Sequence, residues 1–173
     1  RLQRSEEHGI RLGELCRKIG ETLELTGVEL DELEVFSMLH DIGKIGIAEH
    51  ILRKPGPLTS DEWKIMKKHP EIGYRIASTV PELVNIADLI LAHHERWDGK
   101  GYPGMLKNDE IPLAARIFAL ADAYDVMVND RPFKTRMTKN EALQEIKEQS
   151  GRQFDPKLAE IFINSMEEEE QIG

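Results

Sequence analysis

Leu83-Val-Asn-Ile-Ala-Asp-Leu-Ile-Leu-Ala-His93-His94-Glu95 is the stretch on which the reading of this chain turns. It reads as a strongly apolar helix that delivers two adjacent histidines at its C-terminal end. The run Ile86–Ala92 has the character of a buried segment. Two imidazoles at the end of a buried helix are costly unless both are satisfied. Ligation of a metal satisfies them more readily than two separate core hydrogen bonds.

Outward from this helix the pattern stays helical. Upstream, Pro70 marks a break or a helix start just after His69, and Thr59-x-x-Glu62 is a capping box. Ile47–Leu58, with Pro55-Gly-Pro57, reads mainly as loop. Leu30–Ile42 is a helix stopped by Gly43 and Gly46. The first helix runs from about Glu6 to Leu25, with Ile10, Leu12, Leu15, Ile19 and Leu23 as its apolar stripe and Gly27 as its end. Downstream, Arg96–Ile111 is a Gly-containing loop long enough to suggest a function. Pro112 opens a helix over Leu113–Val128 with an Ala-rich face. Thr138-x-x-Glu141 caps another helix, to about Gln149, and Asp155-Pro156 opens the last. There is no alternating strand pattern and no internal repeat. The expectation is an all-α, compact multi-helix bundle at residues 1–166, followed by an acidic, disordered tail at 167–173.

The chain has 173 residues, enough for one domain with a sizeable core. No apolar run approaches the roughly 20 residues that span a bilayer, so no membrane contact is expected. The opening Arg-Leu-Gln-Arg-Ser-Glu-Glu lacks the pattern of a signal peptide, and Arg1 sits at the edge of a helix, as in a domain of a longer chain. Cys16 is the sole cysteine, which suits a reducing cytoplasm. The net charge of −9 argues against a nucleic-acid polymer as partner. It leaves room for a small anionic substrate, because two divalent cations would make a pocket locally positive.

Six histidines are present, and four fall in His40-Asp41 and His93-His94. A bare His-Asp pair is weak evidence, since a hydrogen-bonded histidine near a helix end explains it. Context strengthens it: the pair closes an apolar helix just before Gly43, and Lys44 lies on the same helical face as His40, where it offers positive charge to a phosphate. Asp122 lies in Leu113-Ala-Ala-Arg-Ile-Phe-Ala-Leu-Ala-Asp-Ala-Tyr and, if buried there, needs a cation. Arg116 is the ordinary candidate for that role, but its spacing puts it on another part of the helix. His8 and His69 are unremarkable singly, and His50 reads as a surface residue. Imidazole and carboxylate ligands suit a divalent transition metal at a hydrolytic site.

His40-Asp41-Ile-Gly-Lys44, His69-Pro70, His93-His94-Glu95, Asp98-Gly-Lys-Gly-Tyr-Pro103 and Ala121-Asp122-Ala-Tyr-Asp125 together resemble the HD-GYP domain, a subgroup of the HD phosphohydrolase superfamily. The resemblance runs from about His8 to Pro156. It implies a helical bundle that hydrolyses cyclic di-GMP to pGpG, with GMP as a further product. It implies His8, His40, Asp41, His69, His93, His94 and Asp122 as metal ligands, with Asp41 bridging two divalent ions, iron or manganese. It implies a catalytic role for Asp41 and Lys44, and substrate contacts from Lys44, Gly101, Tyr102, Pro103, Arg131 and Lys134. Some members carry a Glu four residues before the first histidine that helps hold a third metal; Arg4 stands there, which favours two ions. An N-terminal regulatory domain and a homodimer are further expectations. Within the same class the substrate could be cyclic GMP-AMP or another nucleotide. Outside it stand a non-catalytic nucleotide sensor, marked by tight binding without turnover, and a di-iron oxygenase, marked by oxygen uptake.

Overall fold

The computed structural model describes residues 2–129 and 135–172, with side chains described over 7–129 and 135–168. The described residues form helices α1 (Leu2–Thr22), α2 (Gly27–Leu39), α3 (Glu49–Leu52), α4 (Ser60–Met66), α5 (His69–Thr79), α6 (Ala87–Ala92), α7 (Leu113–Val128), α8 (Lys139–Glu148) and α9 (Pro156–Ile172). Short 3-10 turns cover Ile42–Gly46, Pro81–Ile86 and Asn108–Glu110, and no strand is present among the described residues. The all-α expectation holds. No described helix is long and apolar enough to cross a membrane.

Packing follows helical periodicity. Leu12, Cys16 and Ile19 bury one face of α1, spaced by the four and three residues that keep side chains on one stripe. They meet Leu33 and Phe36 of α2, and Phe118 of α7 stacks on Phe36 with ring centroids 4.8 Å apart. Ile10, expected in the stripe, is exposed instead. The paired helices α1 and α2 lie against α7, while α5 packs on α6 and on the Ile42–Gly46 turn.

Local signals explain most boundaries. Thr59 and Thr138 form complete capping boxes with Glu62 and Glu141. Asp155 caps α9, its Oδ1 accepting from the amides of Lys157 at 2.9 Å and Leu158 at 3.3 Å. Gly27 is a correction. It opens α2 behind a further capping box, Thr26 with Glu29. Helix α1 has already ended, with Glu24 at φ 57° and the amides of Glu24 and Leu25 turned back to the carbonyls of Glu21 and Gly20. This is the left-handed cap usually given to glycine. Two other boundaries shift: α2 ends at Leu39 with His40 as its cap, and the first four residues of Leu83–Glu95 are 3-10, with the α-helix confined to Ala87–Ala92. The backbone of α9 carries 167–172 as helix, where the sequence suggests a separate tail.

Candidate metal centre

The site is assembled from helix ends. His40 caps α2 and Asp41 begins the turn that follows. His69 starts α5 with Pro70 behind it, and His93 caps α6. The end of α2 and the start of α5 can meet because Gly43 lies directly on the backbone of α5. A Cβ there would fall on the His69 carbonyl and 2.5 Å from the Gly73 amide nitrogen. Gly43 is therefore a close-approach residue as well as the end of a helix. His8 from α1 and Asp122 from α7 close the group from the other side.

Three histidines share one orientation. The Nδ1 atoms of His40, His69 and His93 lie 2.8, 2.8 and 2.5 Å from the carbonyls of Ser37, Met66 and Ile90, each three residues earlier. A carbonyl only accepts, so Nδ1 carries the proton and, in the neutral ring, Nε2 is left with its lone pair. The Nε2 of His69 is 3.1 Å from that of His93 and 3.1 Å from that of His94. The bare acceptors of His69 and His93, facing each other at that distance, need a cation between them. A proton is disfavoured there. Burial, and then the neighbouring imidazoles, push His93 well below its ordinary value. Burial followed by the charge of His69 takes His94 down to about 4. Burial lowers His69 as well. His69, His93 and His94 could hold a metal ion, and the converging nitrogens of neutral rings fit that ligand.

Asp41 sits between this trio and His40. Its Oδ1 is 3.5 Å from His69 Nε2, and its Oδ2 is 3.4 Å from His40 Nε2 and 2.6 Å from Lys44 Nζ. Burial would raise its carboxyl, but His40 and Lys44 outweigh that and hold it well below the usual carboxylate range. Its two oxygens thus face the two halves of the cluster. Ring contacts continue from His93 to His40 at 5.5 Å and from His40 to His8 at 5.9 Å.

His8 lies in a different field. Its Nε2 is 3.4 Å from Asp122 Oδ1, and its Nδ1 is 2.6 Å from Asp125 Oδ2. Burial lowers it, yet the carboxylates of Asp122 and Asp125 outweigh burial and push it up to about 9. Arg11 grips Asp125 with Nε to Oδ1 at 2.6 Å and Nη2 to Oδ2 at 3.0 Å, and Asn129 adds a 2.8 Å bond to Oδ1. Asp125 therefore fixes the His8 ring, as carboxylates behind metal-binding imidazoles do. The buried acid of this apolar helix is Asp125, while the Asp122 side chain is 34% exposed. Arg116 pairs with Asp155 at 2.8 Å and Asp109 at 3.3 Å, not with Asp122. Sequence reading missed Arg11 and Asp125; their signals were the i+3 spacings from His8 and from Asp122.

The loop after α6 is pinned from within. Buried Glu95 accepts from the amide of Gly104 at 2.6 Å and that of Leu106 at 3.0 Å. Gly101 crosses the chain so closely that a Cβ would lie 2.5 Å from the His94 carbonyl oxygen and 2.6 Å from the Arg96 nitrogen. Tyr102 consequently stacks on His94, with centroids 4.8 Å apart and planes 18° apart, and Lys67 Nζ stands 5.2 Å from its ring centroid. Burial pushes the Tyr102 hydroxyl up to about 12. A cavity of about 290 Å³ opens here, with Lys67, Arg96 and Lys100 beside His94, Tyr102 and Asp122. Lys67 and Lys100 were not anticipated as site residues. Pro103 lines a separate cavity of about 680 Å³ with Gly104, away from the histidines. Arg131 and Lys134 lie outside the described residues, as does the Arg4 side chain.

The family model described as HD domain matches residues 1–158. A cyclic di-GMP phosphodiesterase of Thermotoga maritima is 45% identical over 161 residues, which are 92% of this chain and 44% of that protein. A cyclic di-GMP phosphodiesterase response regulator of Xanthomonas campestris is 41% identical over 94% of this chain and 43% of its own. A crystal structure of a cyclic GMP-AMP-specific phosphodiesterase of Vibrio cholerae superposes with a TM-score of 0.73 at 28% identity, over 93% of this chain and 44% of that one. The chain thus spans less than half the length of these relatives.

Proposed function

This chain belongs to the HD-domain family, and from that premise we propose that it is a metal-dependent phosphodiesterase hydrolysing cyclic di-GMP to pGpG, and on to GMP. The observation that carries the reading is the convergence of the Nε2 atoms of His69, His93 and His94 beside Asp41, with cations around the adjoining cavity. His69, His93 and His94 would hold one divalent ion, and His8, His40 and Asp122 a second, with Asp41 shared between them. Iron and manganese suit such a mixed imidazole and carboxylate set.

When bound, the ions would supply Lewis acidity and a water activated at neutral pH. The chain's own residues would do the rest. Lys44, 2.6 Å from Asp41, would place positive charge beside the scissile phosphate, where charge grows in the transition state. Lys67, Arg96 and Lys100 would draw the dianionic dinucleotide into an otherwise acidic protein. Tyr102, held by its His94 stack, would wall the base or ribose, and Gly101 would let that wall approach the metal cluster. Arg131 and Lys134 would contact the second phosphate. Asp125, steadied by Arg11, would present His8. Cytoplasmic location, an N-terminal regulatory domain and a homodimer complete the proposal.

A second substrate is favoured by the superposition on a cyclic GMP-AMP-specific enzyme. Protein purified anaerobically, assayed for metal and for turnover of both dinucleotides, tests the reading. About two metal equivalents and release of linear dinucleotide are expected for a two-metal hydrolase. Metal-loaded protein that turns over neither dinucleotide would sink it, and an ordered third ion would overturn the two-metal assignment.

A further inference from the structure

A third cavity, of about 400 Å³, adjoins the one beside His94 and shares Asp122 and Gln153 with it. Val126 and Met127 of α7, together with Met137 and Phe154, give it apolar walls, and Glu145 of α8 and Gln149 at its C-cap enter as polar groups. Its size lies in the range of small-ligand pockets, as does its pattern of apolar walls with a few polar groups. None of the residues so far placed at the site, Asp122 apart, lines it.

We infer that this cavity is a base subsite and that Glu145 makes it selective for guanine. The inference rests on the phosphodiesterase reading above. A cyclic dinucleotide carries its two bases on the two separate riboses of one sugar-phosphate ring, so the two can enter separate subsites. With a phosphate at the histidine cluster, one base falls to the Tyr102 side. The other is left for a cavity that opens beyond Asp122 and Gln153. Thioethers and an aromatic ring suit a flat heterocycle, since sulfur packs well against ring edges and faces.

The polar groups decide which heterocycle. A carboxylate only accepts, through two oxygens. Guanine presents two adjacent donors, N1–H and the 2-amino group, which match those oxygens. Adenine presents a lone pair at N1, which would face the carboxylate and be repelled. Gln149, which caps α8 one turn further on, donates from Nε2 to Glu145 Oε1 at 3.3 Å. That bond orients the carboxylate, and a carboxylate oxygen has a second lone pair with which to accept a further donor. The ordinary alternative is a solvent-filled crevice between α7 and α8, in which Glu145 discriminates nothing.

The test uses metal-loaded protein and the Glu145→Gln variant, with cyclic di-GMP and cyclic di-AMP as substrates. An amide offers one acceptor and sets a donor against the guanine donors. The ratio of kcat/KM for cyclic di-GMP over cyclic di-AMP should fall about tenfold or more, mainly through KM for cyclic di-GMP. The thermal midpoint of the variant should match the parent, because Glu145 is only part-buried. An unchanged ratio, or equal losses on both substrates, would overturn the base subsite while leaving the phosphodiesterase reading intact. A parent protein that hydrolyses bis(p-nitrophenyl) phosphate but neither dinucleotide would overturn both.

Discussion

His93 and His94 are neighbours in sequence, but their rings serve one site only because their helix ends there. At the scale of the single residue the most exposed assignment is Asp41. Its two oxygens face His69 and His40 separately, so no single neighbour can replace it. Asp41→Ala should lose bound metal and turnover together. The fold should survive, since buried apolar helices supply most of the stability. Elemental analysis beside circular dichroism checks this, and near-normal metal content would refute the site assignment. Lys44 and Arg131 are expected to separate kinetically. Lys44→Ala should lower kcat by about tenfold or more, because a charge beside the scissile phosphate acts most strongly in the transition state. Arg131→Ala should raise KM with metal content unchanged. Steady-state kinetics on both variants decides the matter; full activity in both would remove the phosphate-contact roles.

Among the elements, the loop from Arg96 to Ile111 is where sequence and geometry meet most closely. Glu95 staples it from inside, and Gly101 is its point of contact with the strand of backbone leading out of α6. Gly101→Ala puts a methyl group against three backbone atoms that have no side-chain freedom to yield. The cost should be about 1–3 kcal/mol, the usual range for overpacking. Tyr102 should lose its stack on His94, and turnover should fall by about tenfold or more even where the fold holds. Metal content should remain near the parent's, because the ligands sit on helices and helix ends outside the loop. Thermal denaturation, elemental analysis and turnover measured together test this. An unaffected melting midpoint with full turnover would mean that the loop's close approach is dispensable.

Over the whole molecule, the metal-free protein carries opposed titrations. His69, His93 and His94 are depressed from 6.5, with His94 near 4. The unfolded chain therefore binds their protons first, so their share of stability is present above pH 6.5 and is lost as pH falls toward 4. His8 is raised from 6.5 to about 9. Its share is present below 6.5 and is lost as pH rises through 9. The metal-free protein should thus be most stable near neutrality, with losses on both sides. Thermal melts across pH 4–9 should show this, and His8→Asn should flatten the alkaline side alone. An alkaline side unchanged by His8→Asn would show that the Asp122 and Asp125 field does not hold a proton on that ring. Sequence by itself determined much of this protein. The 3.6-residue periodicity, the capping boxes at Thr59 and Thr138 and the Asp155-Pro156 start are local signals, and local backbone chemistry is enough to make them act. The motif residues were legible for the same reason: His40-Asp41 and His93-His94 are pairs visible without a fold. Only the tertiary structure decided that Asp125 and not Asp122 is the buried acid, that Arg11 backs His8, that Lys67 and Lys100 reach the cavity, and that Pro103 does not. Each of those depends on which face of a helix or loop meets a partner far away in the chain, and no spacing along one segment encodes where another segment will lie.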